Sequence, residues 1–255
     1  MKVIILAGGY GSRLSEYTNS IPKPMVNISG KPIVLHIMEH FINYGFNNFY
    51  LAMGYKSDYI KNYFATFFNK KVDLTKKFIC LENNQLNNQF KNCKVNLVET
   101  GLNTMTGGRL KKLQKYINKE DFFMTYGDGI SNVNLYKLLK FHQKYKKIGT
   151  VTAVHPPARF GEMKIAKNNT VYEFKEKPLT SKSWINGGFF IFNYKFFSYL
   201  VNNSSILEKE PLENLSKKNQ LKAFKHNGFW QCMDTKRDKD FLDDLYKSNN
   251  KQWPL

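Results

Sequence analysis

KVIILAGGYGSRL, residues 2–14, passes from a β-branched apolar run straight into a glycine-rich loop. Val and Ile in an unbroken run suit a buried strand, and the glycines that end it mark the turn into a loop. Two familiar phosphate-binding patterns fail on this loop. Setting Gly9 and Gly11 on a G-x-G-x-x-G fingerprint puts Leu14 where the third glycine belongs, and Gly11-Ser12-Arg13 is not the Gly-Lys-Ser/Thr of a Walker loop. The chemistry of an anion site is nevertheless present. Glycines let a backbone approach a ligand closely, successive N–H groups cradle phosphate oxygens, and Arg13 offers a two-pronged donor. Lys23 follows between Pro22 and Pro24, which restrict its backbone to an extended form.

Outward from this strand, the chain alternates. IVLHIMEHFINYG (33–45) carries apolar residues at helical spacing, with Pro32 at its start and Gly45 at its end. NFYLAM (48–53) predicts the next strand and residues 57–68 a helix. VNLVET (95–100), FFMTYGD (122–128) and TVTAVHP (150–156) predict further strands, separated by helices around 110–116 and 135–145. This alternation predicts an α/β fold with a doubly wound, Rossmann-like sheet. After Pro156 the pattern is β-richer. MKIAKNNTVYEFKEKP (163–178) predicts two short strands around an Asn-Asn turn, and NGGFFIFN (186–193) another strand, with antiparallel or mixed pairing. Helices follow at 211–217 and 236–246, the second preceded by Thr235 and Asp238 at capping-box spacing. The Asn/Gln-rich stretch 81–93 reads as a long loop or hairpin insertion. The organisation expected is one domain, 1–255, with a first half to residue 155 and a second from 156.

Composition narrows the partners. Hydrophobic residues make up 42% of the chain and aromatics 15%, which marks a folded protein. A formal charge of +19 over 255 residues attracts anions, nucleotides among them. No compact Lys/Arg run or reading module accompanies it, so no nucleic acid partner is expected. Cys80, Cys93 and Cys232 are widely spaced and form no metal or disulfide pattern. The apolar run after Met1 and Lys2 is too short for a secretory signal, and no stretch approaches a membrane span; a cytoplasmic enzyme is expected.

The stretch LAGGYGSRL…PKPMV resembles the signature of the nucleoside-diphosphate-sugar pyrophosphorylases, the sugar-1-phosphate nucleotidyltransferases. TGLNTMTGGRL (100–110), YGDG (126–129), RFGEMKI (159–165), FKEKP (174–178), INGGFF (185–190) and FWQCMDTKRDK (229–239) resemble one branch, the glucose-1-phosphate cytidylyltransferases, so the resemblance spans nearly the whole chain. The stretch 100–110 does not resemble typical thymidylyl or uridylyl enzymes. The resemblance implies CTP and glucose 1-phosphate as substrates, CDP-glucose and pyrophosphate as products, and Mg²⁺ as cofactor. It implies a homo-oligomer, of which a hexamer is one form, with sugar binding and self-association in the second half.

Carried over residue by residue, it implies that Leu6, Ala7, Gly8, Gly9, Gly11, Ser12 and Arg13 wrap the nucleotide and that Lys23 contacts its phosphates. Thr104 and Arg109 complete that pocket, and Asp128 and Asp234 hold the metal. Arg13, Lys23 and Asp128 carry the catalytic roles. On the sugar side it implies Gly161, Glu176, Lys177, Asn186 and Gly187. Two departures stand out: Ser12 where Thr is common, and Cys232 where proline is common. Two carboxylates sharing one Mg²⁺ place their oxygens within roughly 4 Å, and without metal their repulsion is expected to separate them and raise the pKa of at least one. Two other function classes remain open at this stage: a non-catalytic nucleotide sensor on the same fold, and a nucleic-acid-binding protein. A transferase using another nucleotide, another sugar 1-phosphate or a small phosphoalcohol is the nearer alternative.

Overall fold

A computed structural model describes residues 1–82, 88–157, 161–176, 183–248 and 252–253. At its centre lies an eight-stranded sheet. Its strands, numbered here in chain order, are β1 (Lys2–Ala7), β2 (Asn48–Met53), β3 (Phe78–Glu82), β4 (Lys94–Glu99), β5 (Phe122–Tyr126), β6 (Gly149–Val154), β7 (Ile185–Phe192) and β8 (Leu221–Lys225). In space they run β8-β6-β7-β5-β1-β2-β4-β3. The strands β5, β1, β2 and β4 are parallel. β3 is antiparallel to β4, β7 is antiparallel to both β5 and β6, and β8 is parallel to β6. The sheet is therefore mixed, with its antiparallel pairing concentrated in the second half, as the change of pattern after Pro156 predicts.

Parallel strands need helical crossovers, and helices on both faces bury both faces. This explains the unbroken apolar run of β1: Val3, Ile5 and Ala7 join one buried cluster while Ile4 and Leu6 join another. From β1 the chain winds outward through β2 to β4, then returns to place β5 on the other side of β1. The winding reverses between β1 and β5, and ligands of such sheets bind outside the carboxyl ends of the strands at this point. The Gly127 N–H donates to the Leu6 carbonyl at 3.0 Å, fixing the ends of the two strands side by side.

Three boundaries differ from the sequence reading. Leu81 and Glu82, read as part of a loop, belong to β3; its residues alternate exposed and buried from Phe78 to Glu82, as an edge strand covered on one face does. β8 (LKAFK) is likewise a half-exposed edge strand that escaped notice. The helix expected around 110–116 begins at Thr106. Gly107 and Gly108 are poor helix formers, but segment 203–205 packs on them and accepts hydrogen bonds from the Met105 and Gly108 N–H groups at 2.8 and 3.1 Å. The expected ribbon forms as Glu162–Ile165 paired antiparallel with Val171–Lys175. The capping box also forms: Thr235 Oγ1 accepts from the Asp238 N–H, and the Asp238 carboxylate accepts from the Thr235 N–H at 2.9 Å. Among the described residues, no helix is long and apolar enough to cross a membrane.

Candidate active site

At the carboxyl ends of β1 and β5, two cavities meet. One, of about 520 Å³, is lined by residues 6–13, Lys23, residues 102–106, Arg109 and residues 126–128. The other, of about 700 Å³, is lined by Thr125, Tyr126, Asp128, Gly129, Gly161, Ile185–Gly188, Glu208 and Trp230–Cys232, with Asp234. Arg13, Tyr126 and Asp128 line both. A reaction joining one ligand to another would occur at that junction.

The glycines of the loop have different physical reasons. Gly11 adopts φ +67°, and a Cβ there would stand 2.8 Å from a Thr18 methyl and 3.0 Å from Lys23 Cβ; glycine alone tolerates both conditions. Gly8 is bare for a different neighbour: a Cβ there would lie 2.4 Å from Arg109 Cζ. The Arg109 guanidinium is buried and donates to the carbonyls of Gly8 (2.9 Å), Gly101 (2.7 Å), Met53 (3.2 Å) and Leu102 (3.1 Å) and to Thr100 Oγ1 (2.7 Å). Arg109 thus fastens the loop after β1 to the stretch 100–102, shaping the cavity from behind. Thr104 is similar, with its hydroxyl donating to the Thr100 carbonyl at 2.6 Å. At Gly9, by contrast, a Cβ would meet nothing within 4 Å. Gly8→Ala is therefore expected to displace Arg109 and cost about 1–3 kcal/mol of stability by overpacking, while Gly9→Ala stays within about 0.5 kcal/mol of the parent. Urea unfolding measures both, and equal stability of the two variants would overturn this assignment.

The charged centre brings together residues far apart in sequence. Lys23 is buried, and its ammonium donates to Asp128 Oδ2 at 2.5 Å and to Asp234 Oδ1 at 2.7 Å. Arg13 reaches the other Asp234 oxygen at 2.7 Å. The Pro22–Met25 turn aims Lys23 inward, β5 delivers Asp128, and the short strand Trp230–Cys232, paired with Gly129–Ser131, delivers Asp234. The Met233 N–H donates to the Asp128 carbonyl at 2.9 Å, which ties the two acidic segments together.

Mutual repulsion is expected to raise the pKa of at least one of the two acids, but that of Asp234 falls. Burial pushes it up, but hydrogen bonding and charge from Lys23, with the charge of Arg13, hold it below the usual carboxylate range. Burial likewise works to lower the Lys23 pKa, yet the Asp128 charge and the two hydrogen bonds hold it above its ordinary value. The ammonium lies between the two acids and Arg13 adds a second cation at Asp234, so attraction outweighs repulsion there. Ligand atoms of Asp128, Cys232 and Asp234 lie within 4.8 Å of one another. Two hard carboxylates that already converge on a cation suit a small divalent ion such as Mg²⁺. The Cys232 thiol is kept protonated by burial, its pKa raised.

On the other side, Gly161, Asn186 and Gly187 line the larger cavity. Glu176 is not among its lining residues; a Cβ on Gly161 would lie 3.0 Å from Glu176 Oε2. Lys177 lies outside the described residues. Several lining residues were not anticipated: Tyr10, Tyr126, Glu208 and Trp230, whose Nε1 donates to the Gly187 carbonyl at 2.7 Å. Tyr126 had a legible signal, directly before the Gly-Asp-Gly turn at a strand end, whereas nothing around Glu208 marks it.

Comparison with known proteins follows the same lines. Residues 2–243 match the nucleotidyl transferase family model. The chain is 42% identical over 256 residues to the glucose-1-phosphate cytidylyltransferase of Salmonella typhimurium, covering 99% of this chain and 98% of that protein. It is 39% identical to a probable glucose-1-phosphate cytidylyltransferase of Bacillus subtilis, over the full length of both. Among solved structures, HddC from Yersinia pseudotuberculosis superposes with a TM-score of 0.70 at 26% identity, covering 96% of this chain and 99% of that one.

Proposed function

The chain belongs to the nucleotidyl transferase family, and from that premise we propose that it transfers a cytidylyl group from CTP to glucose 1-phosphate, giving CDP-glucose and pyrophosphate. The observation that carries this reading is the charged centre, in which Arg13, Lys23, Asp128 and Asp234 converge where the two cavities meet. CTP fills the smaller cavity and glucose 1-phosphate the larger. A sugar-phosphate oxygen attacks the α-phosphorus of CTP in line, forming the new P–O bond as the bond to pyrophosphate breaks.

The nucleophile needs no general base, because a phosphate monoester with a second pKa of about 6 is largely dianionic at neutral pH. The obstacle is repulsion between a dianion and a triphosphate. Arg13 and Lys23 lower that repulsion and fix the line of attack, so the rate gain comes from positioning and electrostatics. Asp128 and Asp234 would hold Mg²⁺, which would supply further neutralisation of phosphate charge. Arg109 and Thr104 keep the nucleotide cavity in shape, and Asn186 presents an amide that both donates to and accepts from sugar hydroxyls. In this reading residues 1–155 carry most of the nucleotide cavity. The sugar cavity draws on both halves, since Thr125, Tyr126, Asp128 and Gly129 line it with Asn186 and Trp230.

A panel tests the assignment. The protein is incubated with each nucleoside triphosphate, Mg²⁺ and a set of sugar 1-phosphates, and pyrophosphate release is followed. CTP with glucose 1-phosphate is expected to be the best pair. Comparable turnover with UTP or dTTP would overturn the base, and equal use of several sugars would overturn the sugar. Steeply salt-dependent binding to DNA or RNA without pyrophosphate release would favour a nucleic-acid-binding protein instead.

A further inference from the structure

We propose that Glu208 is a positioning residue that couples the two substrate cavities, clasping the wall of the nucleotide cavity to the wall of the sugar-phosphate cavity so that occupancy of one favours occupancy of the other. The inference rests on the function proposed above. Glu208 lies in the connector between buried Leu207 and the helix Glu210–Lys217. One carboxylate oxygen accepts from the Tyr126 hydroxyl, and the other accepts from Thr106 Oγ1 at 2.8 Å.

Thr106 belongs to the nucleotide cavity alone, whereas Tyr126 faces both. Thr106 lines the nucleotide cavity and begins the helix Thr106–Leu113. Its hydroxyl also accepts from the Leu207 N–H at 2.9 Å, and the Met105 and Gly108 N–H groups donate to the carbonyls of Asn203 and Ser205. The approach is close enough that a Cβ on Gly108 would lie 2.4 Å from the Asn203 carbonyl oxygen. Any movement of this nucleotide-cavity wall is therefore transmitted to segment 203–208.

Tyr126 ends β5 and lines both cavities. Asn186 lines the sugar cavity together with it. Gly188, at φ +79°, leaves room for the Tyr126 ring; a Cβ there would lie 2.8 Å from Tyr126 Cδ2. A line of hydrogen bonds, Tyr126 to Glu208 to Thr106, thus joins a residue that faces both cavities to the wall of the nucleotide cavity. A carboxylate suits the central place because its two oxygens accept two hydroxyl donors at once, as charge-assisted bonds. Glutamine keeps the shape but has one acceptor oxygen and no charge.

Coupling between sites is a ratio of affinities and is reciprocal, so calorimetry reads it directly. The dissociation constant of a CTP analogue with a non-hydrolysable α–β bridge is measured in Mg²⁺, with and without saturating glucose 1-phosphate. The native protein is expected to bind the analogue about 5–150-fold more tightly with the sugar phosphate present. Glu208→Gln should bring that ratio close to one while affinity for each ligand alone changes far less. Tyr126→Phe should do the same, and the double variant should lose no more coupling than either single one. A merely structural role for Glu208 would weaken each ligand alone and leave the ratio intact, overturning the proposal. A native protein that binds both ligands without coupling would also overturn it, leaving the transferase assignment untouched. A native protein that binds neither ligand would overturn that assignment itself, and the coupling with it.

Discussion

Asp128→Asn and Asp234→Asn are each expected to lower pyrophosphate release by about 10³-fold or more, the upper scale for removing one member of a preorganised electrostatic set. Each carboxylate faces the same Lys23 ammonium, at 2.5 and 2.7 Å, and each borders the junction of the cavities. Asparagine keeps the shape and removes the charge, so the divalent ion loses an anionic ligand and Lys23 a counter-ion. Two carboxylates serving one ion act as a unit, so the double variant should be little worse than either single one. The fold should survive. The tie from the Met233 N–H to the Asp128 carbonyl involves only backbone, and the helix after Asp234 is capped by Thr235 and Asp238. Pyrophosphate release measured beside thermal melting tests both halves of the statement. An Asp234→Asn protein with full activity would refute the shared site.

Lys23→Ala carries the second large effect. Loss of a fixed cation from the phosphate path should lower kcat/KM by about 10²–10³-fold. The metal-free protein is expected to respond as well, because two carboxylates are left facing each other without the ammonium that neutralises them. Removing one partner of a fully buried ion pair costs about 3–5 kcal/mol. The carboxylates here are partly exposed, so about 1–3 kcal/mol is expected after allowing for solvent screening. The melting temperature of Lys23→Ala in a chelator should therefore fall. Mg²⁺ should raise it by more than it raises the native protein, where the ion competes with a resident ammonium. Melting curves with and without Mg²⁺ give the answer, and a variant that melts like the native protein in chelator would remove the counter-ion role.

The glycine loop shows how far the residues alone could be read. Its anion-binding character follows from local facts: glycines after a buried strand, an arginine within the loop, and a lysine between prolines. The division of labour among the glycines does not. Gly8 is bare because Arg109, a hundred residues on, packs against it, and Gly9 meets no neighbour at all. Arg109 itself was read as a wall of the nucleotide cavity. It does line that cavity, but its guanidinium is committed to backbone carbonyls, a role visible only once residues 53, 101 and 102 surround it. The same holds for Asp234, whose lowered pKa depends on the lysine that lies between the two acids, a neighbour the expected repulsion left out.

What the sequence by itself determined is whatever neighbours a few residues apart control. The unbroken apolar run of β1, the helices at 33–42 and 135–145, the Asn-Asn ribbon and the Thr235–Asp238 cap all follow from spacing and local hydrogen bonding. Edge strands β3 and β8 escaped because half their residues face solvent, which weakens the apolar signal. Tertiary structure alone decided the charged centre and the Glu208 clasp. Lys23, Asp128 and Asp234 meet because the winding reverses between β1 and β5 and because the Trp230–Cys232 strand pairs beside β5's outgoing turn. Those contacts span 105 and 211 residues. The physical reason is that hydrophobic periodicity specifies which face of an element is buried, whereas strand order and pairing specify which distant side chains share that burial, and with it their charge state.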